Sequence, residues 1–150
     1  MSKSHMFSFV SRTFNPGAGC DFKCSYCWTP RFRRRSSCEL CRKGVPHLHP
    51  EKLNATFRKG ELVFLFSMGD IASFRDWEIE AVIDLMKRNP DTQFLILTKD
   101  PRVFLRHDFP ENTIIGATIE TDQDTRYYSR APPPTVRIGA MLQVSVTRPN

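Results

Sequence analysis

No stretch of this 150-residue chain approaches the roughly 18 consecutive apolar residues that a membrane-spanning helix needs. The opening, MSKSHMFSFVSRTF, has neither the long apolar core nor the small-residue cleavage site of a secretory leader. Both absences point to the cytoplasm, with no membrane partner. There is no internal repeat, which argues against a solenoid or propeller. Cysteine is missing from most of the chain, because all five residues of this type lie between Cys20 and Cys41. An odd number of thiols crowded into one segment of a protein in a reducing compartment fits metal ligation better than disulfides.

What is present reads as one α/β domain over residues 1–150. The alternation in Met6–Phe14 predicts a first strand that ends at the turn NPGAG. Pro50 at a first helical position, Glu51 in the first turn and the stop at Gly60 predict a short helix. The continuous apolar run Leu62–Phe66 fits a strand buried on both faces. Phe74, Trp77, Ile79, Val82, Ile83, Leu85 and Met86 recur at helical spacing and stop before Pro90. TQFLILTKDP and NTIIGATIETD predict two further strands, separated by RVFLRHDFPE, which has room for one or two helical turns. DQDTRYYSRA has a weak helical pattern, and the tail 132–150 has no clear assignment. The order βαβαβαβ favours about four parallel strands joined by crossovers.

In such folds the reactive groups gather at the carboxyl ends of the strands. The residues there are Cys20, Cys24 and Cys27 after the first strand, and Ser67 to Asp70 after the second. Thr98, Lys99 and Asp100 follow the third, and Thr118 to Asp122 lie near the end of the fourth. Within the loop 15–41, CDFKCSYC spaces its thiols as C-x3-C-x2-C. Three thiolates can hold three irons of a 4Fe-4S cluster and leave the fourth iron open. A structural zinc site would want four ligands.

This motif, with an aromatic immediately before the third cysteine, resembles that of the radical S-adenosylmethionine (radical SAM) superfamily. The resemblance implies a partial (βα) barrel and a 4Fe-4S cluster on Cys20, Cys24 and Cys27. It also implies S-adenosylmethionine bound at the open iron and cleaved to a 5′-deoxyadenosyl radical that abstracts hydrogen from a substrate, with an electron donor as partner. Tyr26 then stands where the family contacts adenine. Ser67-Met68-Gly69-Asp70 occupies the place of the family's Gly-Gly-Glu-Pro motif, from which it departs at three of four positions. Thr98, Lys99, Thr118 and Glu120 are the implied contacts to ribose or carboxylate. Lys23 and Arg12 are the cations expected beside the cluster. Family barrels have six βα units, so four strands correspond to the amino-terminal portion of such a domain. An open sheet edge at Asn112–Glu120 is then expected to drive self-association or aggregation, unless the segment RIGAMLQVSV supplies a covering helix or strand.

A second group lies at 38–49, where Cys38 and Cys41 in CELC are followed by His47 and His49. Two thiols and two imidazoles satisfy the ligand count of tetrahedral zinc, although the spacing is not that of the usual finger. His49 is alternatively a helix-entry residue. Arg31 to Arg35, RFRRR, interleaves an aromatic with arginines in a chain of net charge +6, a composition suited to nucleic-acid phosphates or to a solvated loop. The rival reading is therefore a zinc-stabilised nucleic-acid-binding module, and a further one is a cluster-binding fragment without turnover.

Overall fold

The computed structural model describes residues 6–147; the ends of the 1–150 domain and of the 132–150 tail, residues 1–5 and 148–150, lie outside the described residues. Along the chain come β1 (Arg12–Phe14), β2 (Gly17–Ala18), α1 (Thr29–Arg33), α2 (Glu39–Lys43), β3 (His47–Leu48), β4 (Leu62–Leu65), α3 (Asp76–Lys87), β5 (Gln93–Thr98), α4 (Val103–Arg106), β6 (Thr113–Ala117) and α5 (Pro134–Thr147). One sheet has the order β1-β4-β5-β6 with every neighbour parallel, and β2 and β3 form a small antiparallel pair. The protein is a mixed α/β fold on a four-stranded parallel sheet, as its apolar runs predict.

Period-two alternation divides the sheet's side chains between two faces. Val63, Leu65, Phe94 and Ile96 pack under α3 through Ile79, Val82, Ile83 and Met86, with Val103 and Phe104 of α4 and Val144 of α5 in the same core. Truncating Ile83, which is fully buried, to Ala would cost about 2–5 kcal/mol. Phe64 and Leu95 point to the other face, where Val10, Phe7 and Leu97 join them. That second face has no helix in its cluster, and the candidate site opens there.

Several expectations need correction. Only Arg12–Phe14 of the segment Met6–Phe14 is strand, because its pairing with β4 is confined to Val63–Leu65. The residues before it turn back, stack Phe7 on Phe9 and set Phe7 edge-on to Phe64. The helix expected after Pro50 is a single tight turn, Pro50–Lys52. Its continuation is claimed by the end of α3: Arg88 donates to the Leu53 carbonyl, Asn89 donates to that of Ala55, and the Phe57 amide donates to Asn89. The segment DQDTRYYSRA is a series of turns, since its backbone bonds to the cysteine loop. The tail is the long helix α5, which packs on β6 and buries Arg137, Ala140 and Val144.

Candidate functional site

The cysteine loop leaves the sheet through a pair of glycines. Gly19 has φ +103°, a region that disfavours side chains, and a Cβ on it would stand 2.4 Å from the Val45 carbonyl. Gly19 and Gly69 form an isolated parallel bridge beyond the ends of β1 and β4. Asn15, in the turn after β1, ties the same region together, its side-chain oxygen accepting from the Met68 amide at 2.9 Å and from the Ser67 hydroxyl at 3.3 Å. Nothing but its place in an NPG turn marks Asn15 in the sequence.

Beyond Gly19 the loop carries Cys20, Cys24 and Cys27 to one cavity of about 400 Å³ at the carboxyl ends of the strands. The three thiols line it together with Tyr26, Ser67, Gly69, Asp70, Lys99 and Thr118, and all five cysteines of the chain are free. The turns after β6 clasp the loop from outside: the Ser25 amide donates to the Tyr128 carbonyl at 2.8 Å, and the Arg130 amide donates to that of Phe22 at 2.7 Å. Ser129 Oγ lies 3.1 Å from Cys24 Sγ, and Thr29 Oγ1 lies 3.0 Å from Cys27 Sγ. Burial pushes the Cys20 thiol up to about 11. A cation stands beside the thiols, and it is not the expected Arg12. Lys99 Nζ is 3.4 Å from Cys24 Sγ, whereas Arg12 sits at the opposite end of the sheet on Glu61 and Phe57, and Lys23 is exposed.

The polar residues expected at the strand ends divide into two sets. Asp70 and Thr98 are bound to each other at 2.5 Å, and Asp70 also accepts from the Lys99 and Ala72 amides, so it caps the turn Ile71–Ser73. Burial raises Asp70 to about 6. Thr98 is fully buried and contributes no surface to the cavity. Tyr26, Lys99 and Glu120 form the second set. The Tyr26 hydroxyl donates to Glu120 Oε1 at 2.5 Å, and Lys99 Nζ lies 3.2 Å from that oxygen and 4.3 Å from the Tyr26 ring centroid. Arg137, on α5 and wholly buried, donates to Glu120 Oε2, to the Thr118 carbonyl at 2.8 Å and to the Pro132 carbonyl at 2.6 Å. Burial works to raise the Glu120 carboxyl, yet hydrogen bonds from Arg137 and Tyr26 and the Lys99 charge hold it down to about 2. Burial first, then the contact with Glu120, raises the Tyr26 hydroxyl.

The second cysteine pair makes a separate group. Cys38 caps α2 and Cys41 lies one turn on, and their thiols face the imidazoles of His47 and His49. Extended backbone sends residues i and i+2 to one side, which is why an H-x-H pair can present both rings together. The His47 Nε2 atom lies 3.3 Å from Cys38 Sγ and 3.5 Å from Cys41 Sγ, and His49 Nε2 lies 3.2 Å from Cys41 Sγ. All four ligand atoms fall within 4.8 Å of one another, a group able to hold a metal ion. The far nitrogens are occupied as metal-bound histidines require: His47 Nδ1 is 2.7 Å from the Val45 carbonyl, and His49 Nδ1 is 3.5 Å from Glu51. Leu48, between them, is buried, and its amide donates to Glu78 at the start of α3. His49 makes no capping bond with its side chain, so its ring belongs to this group. Hydrogen bonds, first from the Cys41 amide, bring Cys38 down to about 7, while burial raises Cys41 and lowers His49.

The fold and site thus define a parallel α/β protein with a thiol-lined cavity at its strand ends and a neighbouring Cys2His2 group. Residues 4–138 match the family described as Protein of unknown function (DUF5131), and the chain belongs to that family. No curated protein and no solved structure matches it. No helix among the described residues is long and apolar enough to cross a membrane.

Proposed function

We propose that the protein is a radical SAM protein, with a 4Fe-4S cluster on Cys20, Cys24 and Cys27 and S-adenosylmethionine in the adjoining cavity. The observation that carries this reading is the convergence of the C-x3-C-x2-C thiols on a cavity of about 400 Å³ that Tyr26, Gly69 and Lys99 also line. The donor set fits the group: the three thiols are free, and a cation beside Cys24 favours added negative charge on a reduced cluster. When bound, the cluster and S-adenosylmethionine supply a 5′-deoxyadenosyl radical for hydrogen abstraction.

The chain's own residues hold, orient and exclude. Gly69 and Gly19 bring the loop against the strand ends, and Phe64, Phe66 and Leu97 make the cavity floor apolar. Glu120, kept ionised by Arg137, does not line the cavity itself but holds Tyr26 and Lys99, which do, and Lys99 offers a charge for a carboxylate. Asp70 and Thr98 serve the site indirectly by fixing the Lys99 amide. Free thiols and such a cluster suit a reducing cytoplasm with an electron donor. The Cys38, Cys41, His47 and His49 group is a closed N2S2 set, for which zinc is the fitting ion and a structural role follows.

The test is anaerobic reconstitution with iron, sulfide and dithionite, followed by quantitation of 5′-deoxyadenosine from S-adenosylmethionine. Formation of that product by the wild type and its loss in Cys24→Ala are expected. A colourless protein that leaves S-adenosylmethionine intact would overturn the proposal.

A further inference from the structure

Helix α1 begins two residues after Cys27 and carries the sequence TPRFR. Trp28 and Thr29 line the cavity, and Trp28 meets Phe32 edge to face with ring centroids 5.2 Å apart. Both rings remain exposed, Trp28 by 40% and Phe32 by 58%, so two large aromatic surfaces stand in water at the cavity mouth. Arg31, Arg34 and Arg35 are exposed beside them. Four arginines elsewhere are matched with carboxylates, Arg12 with Glu61, Arg102 with Asp100, Arg126 with Asp124 and Arg137 with Glu120, and the others outside the run are spread along the chain rather than clustered beside exposed rings. Among the described residues no ion pair involves Arg31, Arg34 or Arg35. The remaining arginine of the run, Arg33, is half-buried and turned toward Gly44, where a Cβ would meet its guanidinium.

We infer that the face formed by Trp28, Arg31, Phe32, Arg34 and Arg35 binds a single-stranded nucleic acid and delivers one of its bases to the cavity. This rests on the proposed function for what happens inside the cavity, but not for the binding itself. Unpaired guanidinium groups match phosphates in charge and in fork geometry, and exposed aromatic rings match the faces of bases. A chain of net charge +6 adds long-range attraction. A base must leave any stack before it can enter a concave site, which favours a single strand over a duplex. An acidic peptide would use the arginines but leave Trp28 and Phe32 without partners.

Fluorescence anisotropy of a short labelled single-stranded DNA or RNA, over a series of salt concentrations, tests this with zinc-loaded protein and again with reconstituted protein. Binding is expected in both. The combined Arg31→Gln, Arg34→Gln, Arg35→Gln variant should reduce the salt slope by about 2, because each phosphate contact on a single strand contributes about 0.7 to it. Trp28→Ala should weaken the strand roughly tenfold at unchanged salt slope, in keeping with the stacking contribution of one aromatic. Heparin, a polyanion without bases, should bind Trp28→Ala and wild type alike. Circular dichroism and zinc content confirm that the variants are folded. Equal strand affinity of wild type and the triple variant, or loss of heparin binding with Trp28→Ala, overturns the inference. Protein that stays colourless after reconstitution yet binds the strand defeats the cluster reading alone, and brown protein that cleaves S-adenosylmethionine but ignores the strand defeats this one alone.

Discussion

Gly19 and Gly69 lie so close that a Cβ on Gly69 would stand 2.6 Å from the Gly19 carbonyl oxygen and 3.2 Å from its amide nitrogen. This contact joins the start of the cysteine loop to the end of β4. Both partners are backbone, so neither can swing aside as a flexible side chain could. Gly69→Ala should therefore cost about 1–3 kcal/mol by denaturant unfolding and lower cluster loading with it. Gly139→Ala is the contrasting case: it lies inside α5 with no atom within 4 Å of an added Cβ, and should stabilise by about 0.5–1 kcal/mol. A Gly69→Ala protein as stable as wild type would show that the bridge is not closed in solution.

Glu120 gives a pH-dependent signature. Its carboxyl stands at about 2 in the folded protein against an ordinary 4.5, so the folded state binds the proton more weakly than the unfolded chain. The stabilisation is complete above about pH 4.5 and disappears as the pH falls through 2. With allowance for solvent screening it is on the order of 1–2 kcal/mol. The difference in unfolding free energy between wild type and Glu120→Gln should accordingly shrink on going from pH 6 to pH 3. A difference independent of pH would mean that Glu120 is not held ionised by Arg137. Arg137→Met, which leaves the Thr118 and Pro132 carbonyls and one oxygen of the partly exposed Glu120 without their donor, should destabilise by about 1–3 kcal/mol.

Purified protein should contain about one zinc per chain at the Cys2His2 group. Cys41→Ser and His47→Asn should each lose the metal by elemental analysis and lower the thermal midpoint by several degrees. The reason is that β3 and the Val45–Pro46 backbone, which back Gly19, would lose their anchor. Unchanged zinc content in either variant would assign the metal to other ligands.

The strands β4, β5 and β6 and the helix α3 were legible because each is a long apolar signal of one period. Residues whose partners are remote were not. Phe7 and Val10 have the alternation of a strand but cover a face of the sheet, and the pattern cannot distinguish the two. The residues after Pro50 look helical until the end of α3 takes their backbone groups. Arg137 was missed, yet a signal existed: it shares the buried stripe of α5 with Ala140 and Val144, and an arginine on an apolar stripe requires an anion. The thiols, Tyr26, Lys99 and Glu120 were legible as a set through the rule that parallel sheets gather reactive groups at one rim. The capping duty of Asp70 is legible from its place before the segment after β4, but its pairing with Thr98 depends on a distance that no spacing encodes.

The division of the five cysteines is the point most directly open to measurement. Iron and acid-labile sulfide, with the electron paramagnetic resonance spectrum of the dithionite-reduced protein, should be determined after anaerobic reconstitution of the wild type and the five single Cys→Ala variants. The expected result is about four irons and four sulfides per wild-type chain. Severe loss should follow in the variants at Cys20, Cys24 and Cys27, with near-normal loading at Cys38 and Cys41. Equal loss across all five variants, or a wild-type protein that holds zinc but assembles no cluster, would contradict it.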